Sequence, residues 1–271
     1  MNIWQIDFYK HTRKDEVGKP IWELLICSPQ GNIIHEANCP QSHANSDWLT
    51  IQLQQAGKEN LPDRIQVFRP QSVSLLSTVA EKLGIKLEAT RRTNALKAEL
   101  QKRFFDDNYD PVKLEKLPPQ TLPEYLLGDE WRFVTLGAGD LIDYFGDRPI
   151  PIVDMPESFY PIHLGIASSI PVPGMIIYGG KKSMILARWL QEAKPFLLNY
   201  IPTELGKSGG LVLESGLSDR WIIATFEDEE VAQAAQNYER RKQASLGLHF
   251  LVVQPDDSGM TYSGFWLLKD E

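Results

Sequence analysis

Asp7 lies inside the apolar run Ile-Trp-Gln-Ile-Asp-Phe-Tyr at positions 3–9. An acid on a first strand can bind metal if other acids join it from a helix and from another strand's end. Two cations held in this way support in-line attack at phosphorus. Asp47 and Glu23 are the candidates to complete such a set. Asp47, however, stands in the first turn of a predicted helix, where a negative charge complements the helix dipole. The run Arg-Ile-Gln-Val-Phe is followed by Arg69-Pro70-Gln71 and by no close carboxylate. The set is incomplete, so a nuclease using Asp7 is disfavoured, and Asp7 reads as structural or as a relic.

Other motifs are weaker. Cys27, His35, Cys39 and His43 are of the types zinc prefers, but they lack the short Cys-x2-4-Cys knuckle that fixes ligand geometry. With Cys27 on a strand, a small buried hydrophobe is the better reading, and no metal or other cofactor is expected. Gly206-Lys207-Ser208 lacks the glycine five residues earlier that a phosphate-wrapping loop needs; Ile201 stands there, and Pro202 removes an amide donor. Gly137-Ala138-Gly139-Asp140 lacks the third glycine of a dinucleotide fingerprint and reads as a β-turn or bulge. No Gly-x-Ser-x-Gly or His-Glu-x-x-His occurs.

A basic cluster is more informative. Residues 81–103 hold seven Lys and Arg against three Glu, with Arg91, Arg92, Lys97, Lys102 and Arg103 inside the last thirteen positions. Arg64 and Arg69 lie nearby in sequence. Guanidinium groups suit phosphates and stack on bases, so these seven residues are the candidate RNA contacts. A solvated helix face would give the same charge pattern. Lys181, Lys182 and Arg188 form a weaker cluster.

The elements that must position these residues follow from periodicity. Three β-rich runs open the chain (3–9, IWELLIC and IIHEA), the last two joined by a Ser-Pro-Gln-Gly-Asn turn that predicts an antiparallel hairpin. A helix is predicted over SDWLTIQLQQAG, capped by Asn45 or Ser46. The strand RIQVF follows, then an amphipathic helix over 71–83 ending at Gly84, the strand IKLEAT and a helix over TNALKAELQKRFF. The order β-β-β-α-β-α resembles the ribonuclease H-like arrangement. The second half predicts the strands WRFVTL, MIIYG, GGLVLES, RWIIATF, GLHFLVVQP and MTYSGFWLL, with helices over 181–193 and 227–244. The class is therefore mixed α/β with two mixed-sheet domains. The first is ribonuclease H-like without a complete catalytic set. The boundaries fall at 1–105, a Pro-rich linker at 106–124, and 125–271.

Bulk properties agree. The 271 residues are 42% apolar and 24% charged, as in ordinary globular chains. Two cysteines suit a reducing compartment rather than a disulfide framework. No apolar run approaches the roughly 18 residues of a membrane span, and the N-terminus does not read as a signal peptide. The net charge is −8, unevenly spread: residues 1–120 hold sixteen Lys and Arg against fifteen Asp and Glu, and the rest twelve against twenty-one. A polyanion site is expected in the first half or in a local patch.

The chain closes on Gly-Phe-Trp-Leu-Leu-Lys. An apolar terminus of this kind is either a tied-down strand or a contact surface. Alternation puts Phe265 and Leu267 on one side and Trp266 and Leu268 on the other. The segments IWQIDFYKHT, KPIWELLICSPQGNIIHEA and GLHFLVVQPDDSGMTYSGFWLL together resemble the Tab/Atab family of cyanobacteria and plastids, over essentially the whole chain. The resemblance implies RNA binding without catalytic residues. Plastid members are translation activators for photosystem reaction-centre messages, notably of a photosystem I core subunit, acting at the 5′ leader. It implies RNA as partner, with other translation or assembly proteins, and gives Trp266, Leu267 and Leu268 a part in activity. Plant members carry a transit peptide; none is read here, which suggests a cyanobacterial form in the cytoplasm. A protein-binding adaptor, motivated by the acidic second half and the aromatic end, is the alternative.

Overall fold

The computed structural model describes residues 1–58, 60–104, 108–204 and 206–270. Positions 105–107, where the last helix of the first half and the linker were expected to meet, lie outside the described residues. The chain divides into two compact units, Met1–Glu115 and Lys116–Glu271. Among the described residues there are three mixed sheets and six α-helices.

In the first unit, strands β1 (Ile3–Lys14), β2 (Pro20–Cys27) and β3 (Ile33–Pro40) form an antiparallel meander. Helix α1 (Ser46–Gly57) then leads to β4 (Arg64–Val67), α2 (Pro70–Leu83) to β5 (Lys86–Ala89), and α3 (Asn94–Arg103) follows. The sheet order is β3-β2-β1-β4-β5, with β4 parallel to both β1 and β5. Local chemistry sets the helix ends. Asn45 Oδ1 accepts the Trp48 amide at 2.9 Å and caps α1. Pro70 opens α2, and Gly84 closes it at φ +67°, a conformation costly for residues with a Cβ.

Side chains alternate across this sheet. Ile6, Phe8, Leu24, Ile26, Ile65 and Val67 face α1 and α2. Leu25 and Cys27 face the other way, where with Phe68 they meet Leu96 and Leu100 of α3. Asp7 alternates onto this second face.

The second unit has strands β6 (Gln120–Thr121), β7 (Glu130–Gly137), β8 (Ile152–Asp154), β9 (Pro171–Tyr178), β10 (Pro195–Glu204), β11 (Ser208–Ser215), β12 (Asp219–Phe226), β13 (Leu248–Gln254) and β14 (Gly264–Lys269). Its helices are α4 (Ala138–Gly146), α5 (Ser183–Ala193) and α6 (Glu229–Ala244). One sheet runs β10-β11-β12-β6 and the other β7-β9-β13-β14-β8. Leu186, Ala187 and Leu190 of α5 join Leu211, Leu213 and Ile223 of the first sheet over one face of the second. On the opposite face, Leu141 and Phe145 of α4 join Phe250, Phe265 and Leu267. Glycine makes two close approaches possible. The Phe250 ring fills the space of a Gly174 side chain, and the Trp266 ring folds back over Gly264. A Cβ at either glycine would stand within 2.5 Å of ring carbons.

Two sequence expectations are corrected. Gly137–Asp140 is not a turn or bulge: Ala138 begins α4 directly after β7. Glycines lower helix propensity there, and burial of Leu141 and Phe145 overrides it. The Ala138 and Gly139 amides donate to the Ile170 and Ser168 carbonyls, so they are not poised for phosphate. The segment 195–204, not read as a strand, is β10; it tolerates Pro202 because it is an edge strand.

Candidate nucleic-acid interface and the buried Asp7 cluster

Asp7 is 1% exposed, and its carboxylate is fully engaged. Arg69 follows the end of β4 and precedes Pro70, which biases it towards an extended backbone (φ −94°, ψ 115°). Its Nε donates to Asp7 Oδ1 at 2.8 Å and its Nη2 to Oδ2 at 3.4 Å. The same Nη2 donates to the Pro111 carbonyl at 2.7 Å. His11, four residues along β1 and so on the same face, places Nε2 2.9 Å from Asp7 Oδ2 and Nδ1 2.6 Å from the Tyr109 hydroxyl. With the proton on Nε2, His11 donates to the carboxylate and accepts from Tyr109. Its ring stacks on Phe104 at 4.2 Å, and the Arg69 guanidinium lies 4.0 Å from the centre of the Tyr9 ring. Burial alone would raise the Asp7 carboxyl. The His11 hydrogen bond and the Arg69 charge and hydrogen bonds outweigh burial and hold the group below its usual range.

This geometry gives Asp7 a structural task. A cation at Asp7 would have to displace Arg69 and His11. Glu23 pairs with Arg13 at 3.2 Å, and Asp47 pairs with Lys82 at 2.7 Å beside α1, on the other side of the sheet. Among the described residues, no three His, Cys, Asp or Glu are arranged to hold a metal ion. The four Cys and His residues do not converge. Cys27 lies in the cluster under α3, Cys39 in the one under α1, and His35 pairs with Gln52 at 2.9 Å. Burial pushes the Cys27 thiol up to about 11, and the Glu99 charge adds to the shift.

Beside Asp7, a polar cavity of about 300 Å³ is rimmed by Arg13, Glu23, Glu36 and Arg103. Arg103 grips Glu36 through two hydrogen bonds, at 2.6 and 2.9 Å, and these hold Glu36 below the usual carboxylate range. Arg103 also donates to Glu99 at 2.9 Å.

The seven basic residues are dispersed. Arg64 opens β4 and pairs with Glu88 at 3.2 Å, at the opposite end of the strand from Arg69. Arg69 itself is 3% exposed. Arg91 and Arg92 follow the carboxyl end of β5, partly exposed, and Lys97 lies on α3 with Nζ 5.6 Å from the Phe68 ring centre. Lys102 projects from α3, its side chain 76% exposed, with Glu99 at 3.8 Å. The sequence alone carries no sign that Glu36 and Glu88, distant in the chain, stand opposite Arg103 and Arg64. It also left His11, Tyr109 and the Pro111 carbonyl out of the Asp7 cluster. The two-residue alternation of β1 was the available signal for His11.

Trp266 is 1% exposed, and Leu267 and Leu268 are 0% exposed. β14 lies between β13 and β8, with Trp266 and Leu268 in one core and Leu267 in the other. The closing triplet is therefore core on both faces of the sheet.

Two family models match the chain. "RNA-binding protein Tab2/Atab2 N terminal" covers residues 3–103, and "RNA-binding protein Tab2/Atab2, C-terminal domain" covers residues 109–269. Among curated proteins, the chain is 29% identical to "Protein TAB2 homolog, chloroplastic" of Arabidopsis thaliana over 98% of its length and 74% of the relative's. It is 27% identical to the Zea mays protein of the same name, over 98% of its length and 71% of the relative's.

Proposed function

The chain belongs to the Tab2/Atab2 family of RNA-binding proteins, and from that premise we propose that it promotes translation of photosystem reaction-centre messages by binding their 5′ leaders, without catalysing a reaction. The observation that carries the proposal is the match of both family models, in order, along residues 3–269, together with relatives named as chloroplastic. Engagement of Asp7 by Arg69 and His11 supports a non-catalytic reading of the first unit.

The order β3-β2-β1-β4-β5 supports reading that unit as a ribonuclease H-like scaffold. Arg69 there stands after β4, where a metal-binding nuclease would need a second carboxylate. The phosphate contacts we assign are Arg64, Arg91, Arg92, Lys97, Lys102 and Arg103. Arg69, being buried, braces Asp7 and the Pro111 carbonyl instead of contacting phosphate. Several of these cations already face carboxylates. The exposed Lys102–Glu99 pair contributes only about 0–1 kcal/mol, whereas Arg103 must give up its bidentate contact with Glu36 to take a phosphate. The adaptor alternative drew on the aromatic end, and burial of Trp266, Leu267 and Leu268 leaves it without that surface.

The test is a salt titration of leader-RNA binding by the wild type and by a variant with Arg91, Arg92, Lys102 and Arg103 changed to Gln. Loss of four phosphate contacts lowers the slope of log K against log salt by about 3 for a single strand. An unchanged slope in a folded variant removes this interface.

A further inference from the structure

The face of the second unit's five-stranded sheet that carries α4 holds a cavity of about 310 Å³. Small-ligand sites run from roughly 300 to 1,000 Å³. Its apolar floor includes Phe250 and Val252 of β13, and three tyrosines wall it: Tyr144 of α4, Tyr178 of β9 and Tyr262 from the segment before β14. Tyr178 and Gln254 are the last residues of β9 and β13, which are adjacent and parallel. The carboxyl ends of such strands are where open α/β sheets seat ligands.

The rings carry cations. The Arg148 guanidinium lies 4.1 Å from the centre of the Tyr144 ring and 5.1 Å from that of Tyr262, and Arg132 lies 5.3 Å from that of Tyr178. The Tyr144 and Tyr262 hydroxyls meet at 3.3 Å. Gln254, 3% exposed, and Asp257 supply polar groups at the same end of the cavity. Arg132 is also paired with Glu130 at 2.7 Å.

We propose that this cavity takes one unstacked base of a single-stranded RNA, stacked on tyrosine, with its hydrogen-bonding edge towards Gln254 and Asp257. Aromatic faces flanked by arginine are how sequence-tolerant sites hold splayed bases. Gln254, whose side chain also bonds Tyr262, keeps a further amide hydrogen and carbonyl lone pair for the base, and Asp257 accepts from an amino or imino group. Arg132 and Arg148 then stand beside the phosphates on either side of the base. Neither the charge count nor the basic stretch at 81–103 points to this second-unit site. The proposal rests on the RNA-binding reading and deepens it.

Tyr144 is 39% exposed, which makes it the position to change. Single-stranded leader RNA is titrated against the wild type, Tyr144→Ala and Tyr144→Phe, and ultraviolet cross-links to the wild type are mapped by mass spectrometry. Loss of one stacked base weakens binding roughly 5- to 150-fold, with an unchanged salt slope because no charge is removed. Tyr144→Phe keeps the ring and retains most of the affinity. Cross-links fall on Tyr144, Tyr178 or Tyr262. Wild-type affinity in a folded Tyr144→Ala, or cross-links elsewhere alone, overturns the base pocket while leaving RNA binding intact. A wild type that binds no RNA overturns both. If Tyr144→Ala does not fold, the cross-link map decides.

Discussion

Arg69 and Asp7 illustrate how one residue's partners decide its task. A buried guanidinium left without its carboxylate is costly, and breaking such a pair typically costs about 3–5 kcal/mol. Asp7→Asn should therefore lower stability by about that amount, read as a shift in urea midpoint at constant slope. A change below about 1 kcal/mol would mean that Arg69 finds another partner. His249 carries a different signature. It is fully buried; its Nε2 accepts the Leu198 amide at 3.0 Å, and Nδ1 bonds the Gly247 carbonyl at 2.8 Å. Burial and the Lys242 charge push its pKa from 6.5 down to about 3, against the Gly247 bond, which raises it. Between those values the unfolded chain takes up a proton that the folded chain refuses. The His249 contribution is thus complete above about pH 6.5 and drains away as pH falls towards 3, at up to about 1.4 kcal/mol per pH unit. Urea denaturation at several pH values checks this: His249→Gln should flatten the acid limb, and a limb as steep as the wild type's would assign it to other groups.

Elements explain the closing triplet. β14 contributes to both faces of its sheet, so Trp266→Ala removes a large ring from a filled core at about 3–5 kcal/mol. If the ring acts only as core, Trp266→Phe folds and keeps RNA affinity. A folded Trp266→Phe that loses RNA would make the indole a contact despite its burial. The terminal strand was legible from the alternation of Phe265–Leu268, as were α1, from its Asn45 cap, and α6, from the acids at its start and bases at its end. Elements whose local signals oppose their final state were not legible. Glycines hid α4, Pro202 hid β10, and β6 and β8 are too short to show a period. The candidate site was less legible than the fold. Period two on β1 relates Asp7 to His11, but nothing local announces that Arg69, 62 positions beyond Asp7, and the more distant Tyr109 and Pro111 carbonyl close around them.

At the scale of the whole molecule, a chain of net charge −8 must bind a polyanion through local features. On the proposed division of labour, arginines and lysines around α3 and β5 supply salt-sensitive phosphate contacts, and the tyrosine cavity of the second unit supplies salt-insensitive stacking. No helix among the described residues is long and apolar enough to cross a membrane. The most direct test compares a photosystem 5′-leader RNA with a scrambled RNA of equal length, each titrated against the intact chain at about 50 and 200 mM salt, a span over which pure phosphate contacts lose orders of magnitude in affinity. Preferential binding of the leader that persists at the higher salt is expected. Equal affinity for both RNAs, lost together as salt rises, or no binding to either, would contradict it.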